Sequence, residues 1–446
     1  MNSRVPFLLG SSRRKQCVIC FKYVGCFRMR TNTMRKFSAE LMKSICFFTA
    51  SYRSKSTKMY ASAILGIQID HVKHIRIWAS DSFHRGGNRI RRHKDLVAVF
   101  SAYHGHLTTI IDISPYKFNK PNGTGKKDWV HVAPCPDVYR GKYRAIDYID
   151  EDLGVKYAED VKQICKDIKA QGRGVCAYIA ESLMSVGGQI LPPPNYFQNV
   201  YRHVREAGGI CIADEVQVGF GRVGTHMWAF QLYGEDIVPD IVTLGKPMGN
   251  GHPVAAVVTT PEIARSFYNT GIEYFNTYGG NPVSCAITNA VMEVIEREGL
   301  QENALKVGNH LLAELKKLAK RRKIIGDVRG VGLFVGIELV RDRIKRIPAT
   351  AEAKHVVSRM KEKKILISSD GPDDNVLKLK PPMVFTLENV NHFVSVLDKV
   401  LEEVDIDFDE ESEPTTTIIK ATISSIGVDR STAVNSNGNS LFVRAN

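Results

Sequence analysis

Apolar residues fall into two registers along the middle of the chain. Short unbroken runs occur at LVAVF (96–100), WVHVAP (129–134), VCAYIA (175–180), Ile210–Ala213 and Ile241–Leu244. Runs of that length without polar alternation fit strands buried on both faces. Between them, apolar positions recur at helical spacing. Val155, Ala158, Val161, Ile164, Cys165 and Ile168 predict a helix over 155–170, closed by Gly172 and Gly174. Phe197, Val200, Tyr201 and Val204 predict another. Strand and helix in alternation predict a largely parallel, doubly wound sheet. Helices follow over about 282–298 and 302–321. A smaller α/β unit then begins near Ile324. GVGLFVGIEL reads as one strand, 349–363 as a helix and ILIS (365–368) as a strand. The last helix spans about 387–404, with Val390, Phe393, Val394, Leu397, Val400 and Leu401 on one stripe.

The chemistry sits where two of these runs stop. Ile210–Ala213 ends at Asp214-Glu215, and Ile241–Leu244 ends at Gly245-Lys246. Open α/β sheets bind ligands at the carboxyl ends of their strands. A lysine there is expected to be dry and to lose its proton readily. A neutral lysine amine can form a Schiff base with a carbonyl. Enzymes that use pyridoxal phosphate (PLP) need such a lysine, and an acid beside the pyridine nitrogen. Lys246 and Asp214 suit those roles, although each taken singly reads as an ordinary surface charge.

The wording around them carries a resemblance. DEVQVGFGRVG at 214–224, then TLGKPMGNGHP at 243–253, is similar to the PLP-attachment signature of the class III aminotransferases. EYFNTYGGNPVSCA (273–286) and DVRGVGLFVGIEL (327–339) match as well, and the wording is nearest the alanine–glyoxylate aminotransferase 2-like branch. That branch includes ethanolamine-phosphate and 5-phosphohydroxylysine phospho-lyases. The resemblance runs from about residue 90 to about residue 404. It implies the fold type I PLP-dependent transferase architecture: a large, mainly parallel domain at 90–322 and a smaller C-terminal α/β domain at 323–404.

The resemblance also implies site residues. Lys246 holds the cofactor and Asp214 its ring nitrogen. Tyr103 stacks on the ring, with His104 beside it and Gly105 allowing close backbone approach. His104 alone reads more often as a structural histidine. Glu181 and Gln217 lie near the cofactor. Thr277 binds the PLP phosphate of the other subunit of a dimer, or of a dimer within a larger assembly. Many relatives carry an arginine in the LxxxPP word to grip a substrate carboxylate; here the position is Lys378. A lysine is a point charge rather than a fork. That weakens amino-acid transamination and suits a substrate amine without a carboxylate. Arg140, Lys142 and Arg144 form a basic cluster that could meet a substrate phosphate, but such runs are more often solvated loops.

Charge changes the picture little. The 446 residues carry a formal net charge of +14, but residues 1–69 hold thirteen Lys or Arg and only Glu40. Elsewhere bases and acids nearly cancel, which argues against nucleic acid as a partner. No apolar run reaches the ~18 residues of a membrane helix. Cys17-Val18-Ile19-Cys20 is a lone CxxC, so no metal site is expected.

The first forty residues have the composition of a mitochondrial transit peptide, or of an arbitrary translated segment; a cytoplasmic location is the alternative. Residues 1–89 match nothing in the family. The Gly-Ser-Glu-Ala-Asn-like loop that holds the PLP phosphate is missing, and HRGGNRIRRHKD at 84–95 does not replace it. Weak PLP binding by the chain as written is therefore expected, with a longer form binding tightly. Residues 405–446 read as a disordered tail. The activity favoured is elimination of phosphate from a phosphorylated amine such as ethanolamine phosphate. Transamination between an amino acid and an oxo acid is the alternative, and an inactive homologue without PLP the second.

Overall fold

The computed structural model describes residues 64–66, 95–269, 271 and 276–405. The expectations for the basic N-terminal segment, the 84–94 stretch and the tail lie outside the described residues.

The unbroken apolar runs form strands because both faces of their sheet are covered. The seven strands are β1 (Ile64–Gly66), β2 (Asp95–Val99), β3 (Val130–Ala133), β4 (Val175–Glu181), β5 (Ile210–Asp214), β6 (Ile241–Leu244) and β7 (Ala255–Thr259). Their order is β1-β7-β6-β5-β4-β2-β3. From β3 through β6 the pairings are parallel, while β7 runs antiparallel to both β6 and β1. Val97 and Val99 point to one face, where they pack with Tyr157, Val161, Phe197 and Val200. Leu96 and Ala98 point to the other, with Ile110, Ile113 and Phe118. Period-two alternation thus sends successive residues into two different cores.

Short helices α1 (Thr108–Asp112) and α2 (Pro115–Phe118) cover the second face. Helices α3 (Leu153–Ala170) and α4 (Tyr196–Glu206) cover the first. Asp152 caps α3: its side chain accepts from the Val155 N–H at 3.0 Å and, through its other oxygen, from Asn195 at 2.6 Å. Val155, expected on the buried stripe, lies in this capped first turn and is exposed. Helices α5 (Pro261–Asn269), α6 (Pro282–Arg297) and α7 (Leu300–Arg321) follow.

A second, antiparallel sheet has the order β10-β9-β12-β11, with β8 also paired to β9. Its strands are β8 (Ile325–Val331), β9 (Phe334–Asp342), β10 (Ile347–Pro348), β11 (Ser368–Asp370) and β12 (Val376–Leu379). Helices α8 (Thr350–Glu362) and α9 (Leu387–Leu401) complete its core together with α7. The stretch GVGLFVGIEL, expected as one strand, is a hairpin. Gly332 turns it with φ +54°, a left-handed conformation that suits glycine. The turn is apolar because Leu333 is buried under the loop after β5, its N–H donating to the Arg222 carbonyl at 3.0 Å. Arg222 answers by donating to the carbonyls of Leu333 (3.2 Å) and Pro381 (2.7 Å). Arg329 on β8 donates twice to the Gly188 carbonyl, at 3.0 and 2.6 Å, in the loop after β4. Both loops that leave the carboxyl ends of β4 and β5 are therefore fastened to the second sheet.

Candidate active site

Parallel register sets the site. Glu181 stands opposite Asp214, and Asp214 opposite Thr243, so the ends of β4, β5 and β6 are level. Lys246 begins a 3-10 turn, Lys246–Met248, two residues beyond the end of β6. Two acids and a lysine from three adjacent strands thus lie along one edge of the sheet.

Asp214 is buried. Its Oδ1 accepts from the Val216 N–H at 3.1 Å, and its Oδ2 meets His104 Nδ1 at 2.8 Å. His104 is placed by the loop after β2, where its own N–H donates to Ser114 Oγ at 3.1 Å. Its Nε2 is buried without a hydrogen-bond partner. The ring thus meets the strand-end carboxylate through Nδ1 alone. Gly105 follows with φ +134°, and a Cβ there would stand 3.1 Å from Ile110. Tyr103 is half-buried. Its N–H donates to Glu181 Oε1 at 3.3 Å, and its ring sits edge-on to Tyr116 with Lys117 5.3 Å from its centroid.

Glu181 is fully enclosed and also accepts from the Ser185 N–H at 2.9 Å. Burial pushes its carboxyl up to about 7, with the Asp214 charge acting in the same direction and His104 against it. Burial likewise raises Glu215 to about 7, although its oxygens accept the N–H groups of Ala229 and Phe230, both at 2.9 Å. Glu215 therefore fastens the next turn, and Asp214 is left to face the site.

Lys246 differs from expectation. The described residues leave its side chain exposed rather than dry, because it rides on a turn that projects beyond the strand end. Thr277 is exposed as well, four residues before Asn281, which caps α6 by accepting from the Ser284 N–H.

Lys378 is not free for a ligand. It is paired with Asp370 of the neighbouring strand β11. The 140–144 cluster is paired as well. Arg140 pairs with Glu338, Lys142 with Asp160 and Arg144 with Asp147. The lysine that does reach the strand ends is Lys380. It donates to Gln217 Oε1 at 2.6 Å and to Ser185 Oγ at 2.9 Å. Burial pushes its ammonium down to about 7, helped by the nearby positive charges of Lys378, Arg222 and Lys246 and opposed by Glu181. Sequence reasoning missed Lys380 and Ser185. The signal was LKLKPP, in which a second lysine follows Lys378 directly before the two prolines.

A family model described as Aminotransferase class-III matches residues 72–401. A Drosophila melanogaster protein called "Alanine--glyoxylate aminotransferase 2-like" is 59% identical over 317 residues. That match spans 71% of this chain and 64% of the relative, so the chain spans less than two thirds of that relative's length. "Ethanolamine-phosphate phospho-lyase homolog 1" of Caenorhabditis elegans is 42% identical over 400 residues, 88% of this chain and 85% of the relative. Among solved structures, an Arthrobacter phospholyase in complex with phosphoethanolamine superposes with a TM-score of 0.71 at 31% identity. It covers 83% of this chain and 82% of its own.

Proposed function

Because the chain belongs to the class III aminotransferases, a family of PLP-dependent enzymes, we propose that it eliminates phosphate from a phosphorylated amine, with ethanolamine phosphate the favoured substrate. The overall change takes ethanolamine phosphate and water to acetaldehyde, ammonia and phosphate. The working form is a homodimer in which Thr277 of each subunit serves the cofactor phosphate of the other. In this reading a cofactor-binding domain spans 90–322 and a smaller domain 323–404.

The residues present fit PLP. A buried strand-end carboxylate, Asp214, stands one strand from an accessible lysine amine. It is backed by a histidine whose remaining ring nitrogen has no partner. Lys246 would hold the aldehyde and Asp214 the proton on the ring nitrogen. Tyr103 would wall the ring, and Gln217 would present its amide NH2, since its oxygen already accepts from Lys380. When bound, PLP supplies an electron-withdrawing ring to the carbon that bears the substrate amine. The Lys246 amine takes a proton from that carbon. His104 holds the Asp214 carboxylate in place, and Glu181 fixes the Tyr103 backbone.

One observation carries the choice of elimination over transamination. The position that would grip a substrate carboxylate is a lysine closed by Asp370. Nearby arginines are spent on the frame: Arg222 on two carbonyls, and Arg329 on Gly188, Asp327 and Glu338. A forked clamp for a carboxylate is therefore absent from the described strand-end residues, whereas the half-buried Lys380 ammonium is present. The experiment is to supply the purified chain with PLP and ethanolamine phosphate, then assay phosphate and acetaldehyde. Release of both in equal amounts is expected. Transfer of the amino group from alanine to glyoxylate, without phosphate release from the phosphoamine, would establish the transaminase alternative.

A further inference from the structure

Lys380 is a half-buried cation with neutral hydrogen-bond partners. Its two hydrogen bonds go to a hydroxyl and an amide oxygen, and no described carboxylate lies within ion-pair distance. Lys378, two residues earlier on β12, is already paired with Asp370. An ammonium carries three donors, so Lys380 keeps one beyond the two it spends. Its fixed partners come from the loops after β4 and β5, and Ser185 donates its backbone N–H to the strand-end acid Glu181. A half-buried ammonium that feels Glu181 only at a distance, with no described carboxylate in ion-pair contact, gains from an anionic group brought by a ligand.

We infer that Lys380, held by Ser185 and Gln217, forms the subsite for the substrate's phosphoryl group and is a specificity-determining residue. This rests on the phosphorylated-amine reading given above. In the free protein the ammonium shares its proton with solvent near neutral pH. A bound dianion stabilises the charged form, so anion binding draws a proton onto Lys380. The subsite therefore binds phosphoryl groups below about pH 7 and weakens above it.

The test uses the full chain saturated with PLP, so that the cofactor's own phosphate site is filled. Inorganic phosphate is titrated by calorimetry at pH 7 against the wild type, Lys380→Met and Lys380→Arg. Loss of one charge-assisted hydrogen bond predicts affinity weaker by about tenfold or more in Lys380→Met. Lys380→Arg is expected to stay within about threefold. Phosphate binding by Lys380→Met at wild-type strength, or none by the wild type, overturns the inference. A second arm needs no variant. Sulfate does not titrate between pH 6 and 9, and its affinity for the wild type should fall about tenfold per pH unit above 7. A flat profile overturns the inference. Intact anion binding without phosphate release from ethanolamine phosphate would sink the elimination reading alone.

Discussion

At the scale of single residues, the site is a division of labour between neighbours of like charge. Asp214 and Glu215 are adjacent in sequence, yet one faces the strand ends and the other caps the turn at Ala229–Tyr233. Lys378 on β12 and Lys380 just past its end are two residues apart, yet one is paired with a carboxylate and the other is not. Two predictions belong here. Lys246→Ala should leave no cofactor covalently attached after borohydride reduction, and should lose turnover, because no other described lysine starts from a strand end beside Asp214. Attachment persisting in the variant would move the role elsewhere. The second concerns Glu181, whose folded carboxyl titrates near 7 against an ordinary 4.5. Between those values the folded protein binds a proton that the unfolded chain does not, so stability falls as pH rises through this window and levels off above it. The cumulative cost is about 3 kcal/mol. Urea unfolding at pH 5 and pH 8 should show Glu181→Gln gaining on the wild type by roughly that amount. A pH-independent difference would contradict it.

At the scale of elements, contacts between helices and turns depend on missing side chains. Gly308 in α7 lies against the hairpin turn, and a Cβ there would stand 2.2 Å from the Gly332 carbonyl oxygen. Gly308→Ala should cost about 3 kcal/mol in denaturant unfolding, since backbone rather than a flexible side chain must yield. A near-neutral result would mean that the hairpin shifts freely. The same hairpin marks a limit of what the sequence makes legible. Continuous apolar runs identify β2, β4, β5 and β6, because burial on both faces leaves a plain composition signal. The stripe of α9 is legible for the same reason. The turn at Gly332-Leu333 is hidden, because burial of Leu333 gives the turn the composition of a strand. Site geometry follows this division. Asp214 and Lys246 are legible as the stops of buried runs. The choice between Lys378 and Lys380 depends on Asp370, which arrives from β11 by antiparallel register. The commitments of Arg140 and Lys142 likewise depend on Glu338 and Asp160, which no local pattern records, whereas Arg144 pairs with Asp147 three residues on.

At the scale of the whole molecule, the two sheets meet through charged groups with little access to water. Arg329 is enclosed between Asp327, Glu338 and the Gly188 carbonyl, and the neighbouring carboxylates hold its guanidinium charged despite burial. Removing it strands Glu338, which is almost fully buried, with Arg140 as its remaining cation. Arg329→Met should therefore cost about 3–5 kcal/mol. It should also release the loop around Gly188, seen as faster amide exchange at residues 185–189 in hydrogen-exchange measurements. Unchanged exchange there would show that the Gly371 N–H, which donates to the Val186 carbonyl at 3.1 Å, holds the loop unaided.

Lys380 follows directly on β12 of the second sheet, while Asp214 and Glu181 end strands of the first and Lys246 begins the turn after β6. Bond-making groups and the group that reads the substrate's charge are thus encoded more than a hundred residues apart, on separate hydrophobic cores. Substrate preference can then drift by substitutions around residues 370–380 while the strand ends of the first sheet stay untouched. A library confined to those positions should yield variants that exchange phosphoamines for other anionic amines and still hold the cofactor.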